Sequence, residues 1–171
     1  MKSKKQIAVP KIEIDLSRIR KFSLQREEEN WNFRSWLKWH APDDIDGLAG
    51  ALSQKYFALI DCKECGNCCQ SMSIEFEKNE IHVIAQNLGQ SIEAFEKKYM
   101  KNGEVNPPCP MLDGKLCSIY ESRPEVRRLF PHLEKPDFLS RLMGVIGNVG
   151  VCPIAYNAFD ELKAKLAWPR L

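Results

Sequence analysis

No apolar run in these 171 residues approaches the roughly 20 needed to cross a bilayer, so the sequence predicts no transmembrane segment and no membrane partner. The opening Met-Lys-Ser-Lys-Lys is basic like the start of a secretion signal. Lys11, Glu13 and Asp15 stand where its apolar stretch would follow, so a cytoplasmic chain is expected. An excess of either charge is also missing. Lysine and arginine number 25 against 23 aspartates and glutamates, and no basic run is sustained, which argues against a nucleic-acid partner. Gly-x-Gly-x-x-Gly, His-Glu-x-x-His and phosphate-loop patterns are absent, which removes the commonest nucleotide and zinc-hydrolase motifs. Only three histidines occur, and His40, His82 and His132 read as non-ligands beside so much sulfur.

What the chain has is cysteine: seven, of which Cys62, Cys65, Cys68 and Cys69 fall within eight residues. The residues between them, Lys63, Glu64, Gly66 and Asn67, make the stretch too polar for a buried core. In a reducing compartment, thiols at this spacing point to metal binding rather than disulfides, and an odd count leaves a full disulfide framework incomplete. Two-residue gaps let successive sulfurs fold around one centre, as in zinc sites and iron–sulfur loops. Adjacent Cys68 and Cys69 point in different directions in most backbone conformations. Cys109, Cys117 and Cys152 complete the candidate ligand set, and Cys109 and Cys152 each precede a proline.

Around these cysteines the pattern is mostly helical. Phe33, Trp36, Leu37 and His40 share a face of a short helix. Ile45, Leu48, Ala49, Leu52, Tyr56, Leu59 and Ile60 predict an amphipathic helix over 43–60 that runs into Cys62. Ile81, Ile84, Ala85 and Leu88 predict another, closed by Gly89, and Ser91 caps a third carrying Ile92, Phe95 and Tyr99. Arg123-Pro124 begins a short helix ended by Pro131. Pro153 opens the last helix, with Ile154, Ala155, Ala158, Phe159, Leu162 and Leu166 on its apolar side. Ser71–Phe76 alternates like a short strand.

Asp113-Gly114 predicts a hairpin turn. A two-residue loop there pairs Met111 with Leu116 and Pro110 with Cys117, and turns Cys109 away from Cys117. A bulged loop pairs Met111 with Cys117 and puts both sulfurs on one face. Gly144, Gly147 and Gly150 read as a pliable approach to Cys152. Residues 1 to about 30 are charged and weakly patterned, an arm whose early part is expected to be mobile. The expected fold is mainly α with a small β-hairpin: an arm with an aromatic helix over 1–41, then a compact helical domain over 42–171 organised around a cysteine-ligated metal centre.

The string Cys62-x-x-Cys65-Gly66-x-Cys68-Cys69 resembles the CxxCxxCC cysteine-cluster family, described by zinc or iron chelation. The likeness extends to Glu80-Ile81, Leu88-Gly89, Cys109-Pro110-Met111-Leu112 and the run from Cys117 to Pro124. It takes in Cys152-Pro153 and leaves the first sixty residues out. Members usually carry Arg-Pro-x-x-Cys-Arg; here Arg127 stands in the cysteine position, which leaves sulfurs for one four-cysteine site but weakens a second. One branch contains flagellin lysine methylases, an activity that the cluster alone does not carry over.

The resemblance implies zinc or iron, with an iron–sulfur cluster as the second form. For such a metal-chelating protein three function classes follow: a zinc-stabilised module that binds a protein partner, a redox protein or cluster-dependent enzyme modifying protein side chains, and a nucleic-acid-binding zinc protein, weakened by the near-neutral charge. Arg123, Arg127 and Arg128 either neutralise the sulfur centre or bind an anion, or else pair with Glu121 and Glu125.

Overall fold

The computed structural model describes residues 12–169, so the mobility expected of the first residues lies outside the described part. The fold is mainly helical with two small antiparallel strand pairs. Among the described residues, ten helices and four strands run in the order α1 (Leu16–Gln25), α2 (Glu27–His40), α3 (Ile45–Leu59), α4 (Cys62–Cys65), α5 (Asn67–Ser71), β1 (Ile74–Glu75), α6 (Lys78–Asn87) and α7 (Ile92–Tyr99). Then come β2 (Glu104–Val105), β3 (Leu112–Asp113), β4 (Leu116–Cys117), a 3-10 turn (Tyr120–Ser122), α8 (Glu125–Arg128), α9 (Leu142–Val149) and α10 (Pro153–Lys165).

The weakly patterned stretch before Trp31 is helical because its ends and one face are satisfied. Asp15 accepts hydrogen bonds from the Ser17 and Arg18 amides, and Ile19 is fully buried. Arg26 reaches Asp160 on α10 at 2.9 Å, and the Lys163 ammonium lies buried against Glu29 and Asn30 of α2.

Two hydrophobic cores result. The larger joins Ile19, Phe33 and Leu37 of the first two helices to Ile45, Ala49, Leu52 and Tyr56 of α3. It continues through Phe138 and Leu142, Val145 and Val149 of α9, to Ile154, Ala155, Phe159 and Leu162 of α10. The smaller gathers Ile81, Ile84, Ala85, Phe95, Val105, Met111 and Ile119. Here α6 is held at its start by Glu80, whose carboxylate takes the Glu77 amide, and α7 by Ser91 on the Ala94 amide.

Two local expectations need correction. Gly144 and Gly147 lie inside α9 rather than in a pliable approach, because Leu142, Val145, Ile146 and Val149 bury one helical face around them. The hairpin turns on Gly114-Lys115, one residue later than expected: Leu112 pairs Cys117 and Asp113 pairs Leu116. Gly114 takes φ +61° at the first loop position, where a two-residue turn of this kind needs it. Strand β1 pairs with β2, a distant segment whose two residues carry no sequence signal.

Among the described residues no single helix is long and apolar enough to cross a membrane.

Candidate metal centre

Helix α3 ends at Leu59, and the chain turns at once into the cysteine segment. Asp61 accepts from the Lys63 amide at 2.7 Å and starts α4, the single turn holding Cys62 and Cys65. Gly66 then takes φ +61°, a left-handed conformation that ends α4 and begins α5 with Cys68 and Cys69. A side chain is disfavoured there for a second reason: a Cβ would lie 3.3 Å from the Lys115 carbonyl oxygen, which would have to give by a few tenths of an ångström. Two short helical turns, bent at one glycine, thus present four thiols.

Backbone bonds bring in the remaining cysteines. The Cys109 amide donates to the Cys69 carbonyl at 2.8 Å, docking the stretch before β3 on α5. Cys109 precedes the hairpin ladder, so the pleat does not dictate its facing relative to Cys117. Asn67 donates to the Val151 carbonyl at 2.7 Å, drawing the start of α10 to α5. Cys152 itself is the residue before the first turn of α10, and its carbonyl accepts from the Tyr156 amide.

The result is a cleft of about 560 Å³ whose walls include Cys62, Cys65, Cys68, Cys69, Cys117 and Cys152. Cys109 stands outside this lining, half-buried, with its sulfur 3.5 Å from the Met111 sulfur. The thiols occupy the seam between the two cores. Cys62, Cys68 and Cys152 pack with the larger core, and Cys109 and Cys117 with the smaller. All seven are free thiols.

Their electrostatics are uneven. Burial, reinforced by Cys65, pushes the Cys62 thiol up to about 11, and burial pushes Cys152 up to about 12. Burial also raises Cys109 and Cys117. The Cys68–Cys69 pair is split. A hydrogen bond between them holds Cys69 below the ordinary thiol range, against its burial and with help from Arg127 and Arg123, and holds Cys68 well above it.

Five cations share the cleft: Lys63, Lys115, Arg123, Arg127 and Arg128, with Asp61 as the carboxylate. The expected pairing of these arginines with Glu121 and Glu125 is not among the ion pairs of the described residues. Arg123 instead lies 3.4 Å over the Tyr120 ring and donates to the Tyr120 carbonyl, and Lys63 stands over the same ring at 4.3 Å. Arg127 is buried and donates to the Met72 carbonyl at 2.6 Å. His82 is exposed on α6, and His132 lies in the turn after α8; neither lines the cleft.

Residues 61–143 match the model of the CxxCxxCC family, described as "Putative zinc- or iron-chelating domain". The match covers just under half of the chain and contains six of the seven cysteines, Cys152 lying beyond it. It supports metal binding, with zinc or iron as the metal. Comparison with curated proteins gives no match, and comparison with solved structures gives none.

The donors fit such a metal in kind. Soft sulfur ligands suit zinc and iron, and the half-buried cleft supplies a partly dry wall around them. In arrangement the fit is partial: among the described residues, no three His, Cys, Asp or Glu side chains already stand around one point. Closing the set needs local side-chain movement across the seam.

Proposed function

We propose that this chain is a zinc- or iron-binding protein whose centre draws on Cys62, Cys65, Cys68, Cys69, Cys109, Cys117 and Cys152 and fastens two hydrophobic cores together. The observation carrying this reading is the division of sulfurs between cores across one cleft. A metal held from both sides acts as a cross-link, and its binding energy becomes folding energy. Cys62, Cys68 and Cys152 would hold it from the α3–α10 side, and Cys109 and Cys117 from the hairpin side. Zinc there supplies a structural tie, whereas iron or an iron–sulfur cluster adds electron-transfer capacity.

The role that follows best is a metal-stabilised module in the cytoplasm that meets a protein partner. A protein-modifying enzyme is the second reading, favoured by the size of the cleft and by its opening beside the sulfurs. The test is paired substitution. Cys65→Ser and Cys68→Ser lose metal and melting temperature together, since serine is a poor ligand for either metal. Unchanged metal content and melting temperature in both variants contradict the reading.

A further inference from the structure

Arg127 lines the sulfur cleft with part of its hydrogen-bonding capacity unused. The side chain is 9% exposed, and its Nε–H is buried without a hydrogen-bond partner. A buried guanidinium normally fills its donors, since an unpaired one forfeits water with no return. One terminal nitrogen is already committed. It donates to the carbonyl of Met72, the residue that ends α5 directly after the cysteine turn. That bond ties the guanidinium to the end of the turn that carries Cys68 and Cys69. The same guanidinium lines the cleft with six of the seven cysteines and acts electrostatically on Cys68, Cys69, Cys109 and Cys117.

We propose that Arg127 is a working part of the metal centre although it is not a ligand: its free Nε–H is reserved for a metal-bound sulfur of the group Cys68, Cys69, Cys109 and Cys117. This rests on the metal-binding reading above. Four thiolates around a divalent ion leave surplus negative charge, and a half-buried cleft solvates such charge poorly. A guanidinium at the cleft wall supplies both the opposite charge and a directed hydrogen bond. The other cations answer the need less well. Lys63, Lys115 and Arg128 are exposed, and Arg123 is turned onto the Tyr120 ring. A side chain that donates to a ligand, rather than binding the metal, typically changes metal affinity by about 10- to 100-fold when removed.

The experiment uses the full chain, freed of metal under anaerobic conditions and titrated with cobalt(II) alone. Sulfur-to-cobalt charge-transfer absorption reports the electron density on the ligating thiolates. Zinc affinity is measured separately by competition with a coloured chelator. Arg127→Met should weaken zinc binding by about 10- to 100-fold and displace the charge-transfer band. Arg127→Lys keeps the charge and lacks the Nε–H. It should recover part of the affinity, keep the metal count per chain, and still show a displaced band. A merely structural arginine would alter melting temperature and leave the band where it is. If Arg127→Met fails to fold, the lysine variant decides alone. A wild-type band and affinity in the lysine variant, or in both variants, overturns the proposal while leaving metal binding intact. A wild-type chain that takes up neither cobalt nor zinc overturns both.

Discussion

The Asn67 side-chain amide donates to the Val151 carbonyl at 2.7 Å, joining the residue before Cys68 to the residue before Cys152 across 84 positions. The last cysteine is thereby held against the first cluster, although Cys152 lies outside the CxxCxxCC match. If Cys152 is a ligand, Cys152→Ala lowers the metal count per chain or weakens binding at least tenfold. Asn67→Ala then weakens binding in the same direction and costs about 1 kcal/mol of stability from the lost bond. Metal analysis of both variants, with the fold checked by circular dichroism, measures this. Full occupancy and an unchanged spectrum in Cys152→Ala would make Cys152 a packing residue only.

Gly66 is the bend on which the two cysteine turns depend. Alanine there must hold a left-handed conformation, at about 1–2 kcal/mol, and must also push back the Lys115 carbonyl. Gly66→Ala should lower both melting temperature and metal affinity. Gly89→Ala is the control: it carries a similar φ of +65°, with open space around it and no cysteine nearby. It should cost comparable stability while leaving metal affinity alone. Equal effects of the two on metal binding would refute the assigned role of the bend.

In the metal-free chain the thiols should react unequally. Cys69 is held below the ordinary thiol range by its hydrogen bond from Cys68, with Arg127 and Arg123 assisting, so more of it is thiolate at neutral pH. Cys152 is 6% exposed and its thiol is pushed up to about 12 by burial, so it stays protonated. Iodoacetamide at neutral pH should therefore label Cys69 first and Cys152 last, as read by peptide mass spectrometry over time. Lowering the pH should slow Cys69 only as that thiolate is protonated. Labelling of Cys152 ahead of Cys69 would contradict the placement of both sulfurs.

Much of the fold was legible because several helices announce themselves twice, by apolar spacing and by their ends. Helix α3 shows Ile45, Ala49, Leu52 and Tyr56 on one face, and α10 combines Pro153 at its first position with an apolar side. Helix α9 was hidden by Gly144 and Gly147, which disfavour helix locally and are carried here by the burial of Leu142, Val145 and Ile146. Helix α1 was hidden by its charged residues, since only Ile19 of it is fully buried. The hairpin register slipped by one residue because both Asp113-Gly114 and Gly114-Lys115 are acceptable turn pairs. At the site, the candidate cysteines could be picked out by spacing, and Arg127 could be singled out. The placement of the cysteines on a seam between two cores could not, because it depends on α3, α10 and the hairpin meeting in space.

The central claim is that these sulfurs hold a metal that fastens the two cores. The most direct measurement is metal per chain on anaerobically purified protein, followed step by step as a mercurial reagent titrates the thiols. The account predicts zinc or iron bound at a fixed ratio and released in proportion to the thiols modified, with the melting temperature falling alongside. A folded, stable chain whose seven thiols titrate freely, with no zinc or iron bound or taken up, would contradict it.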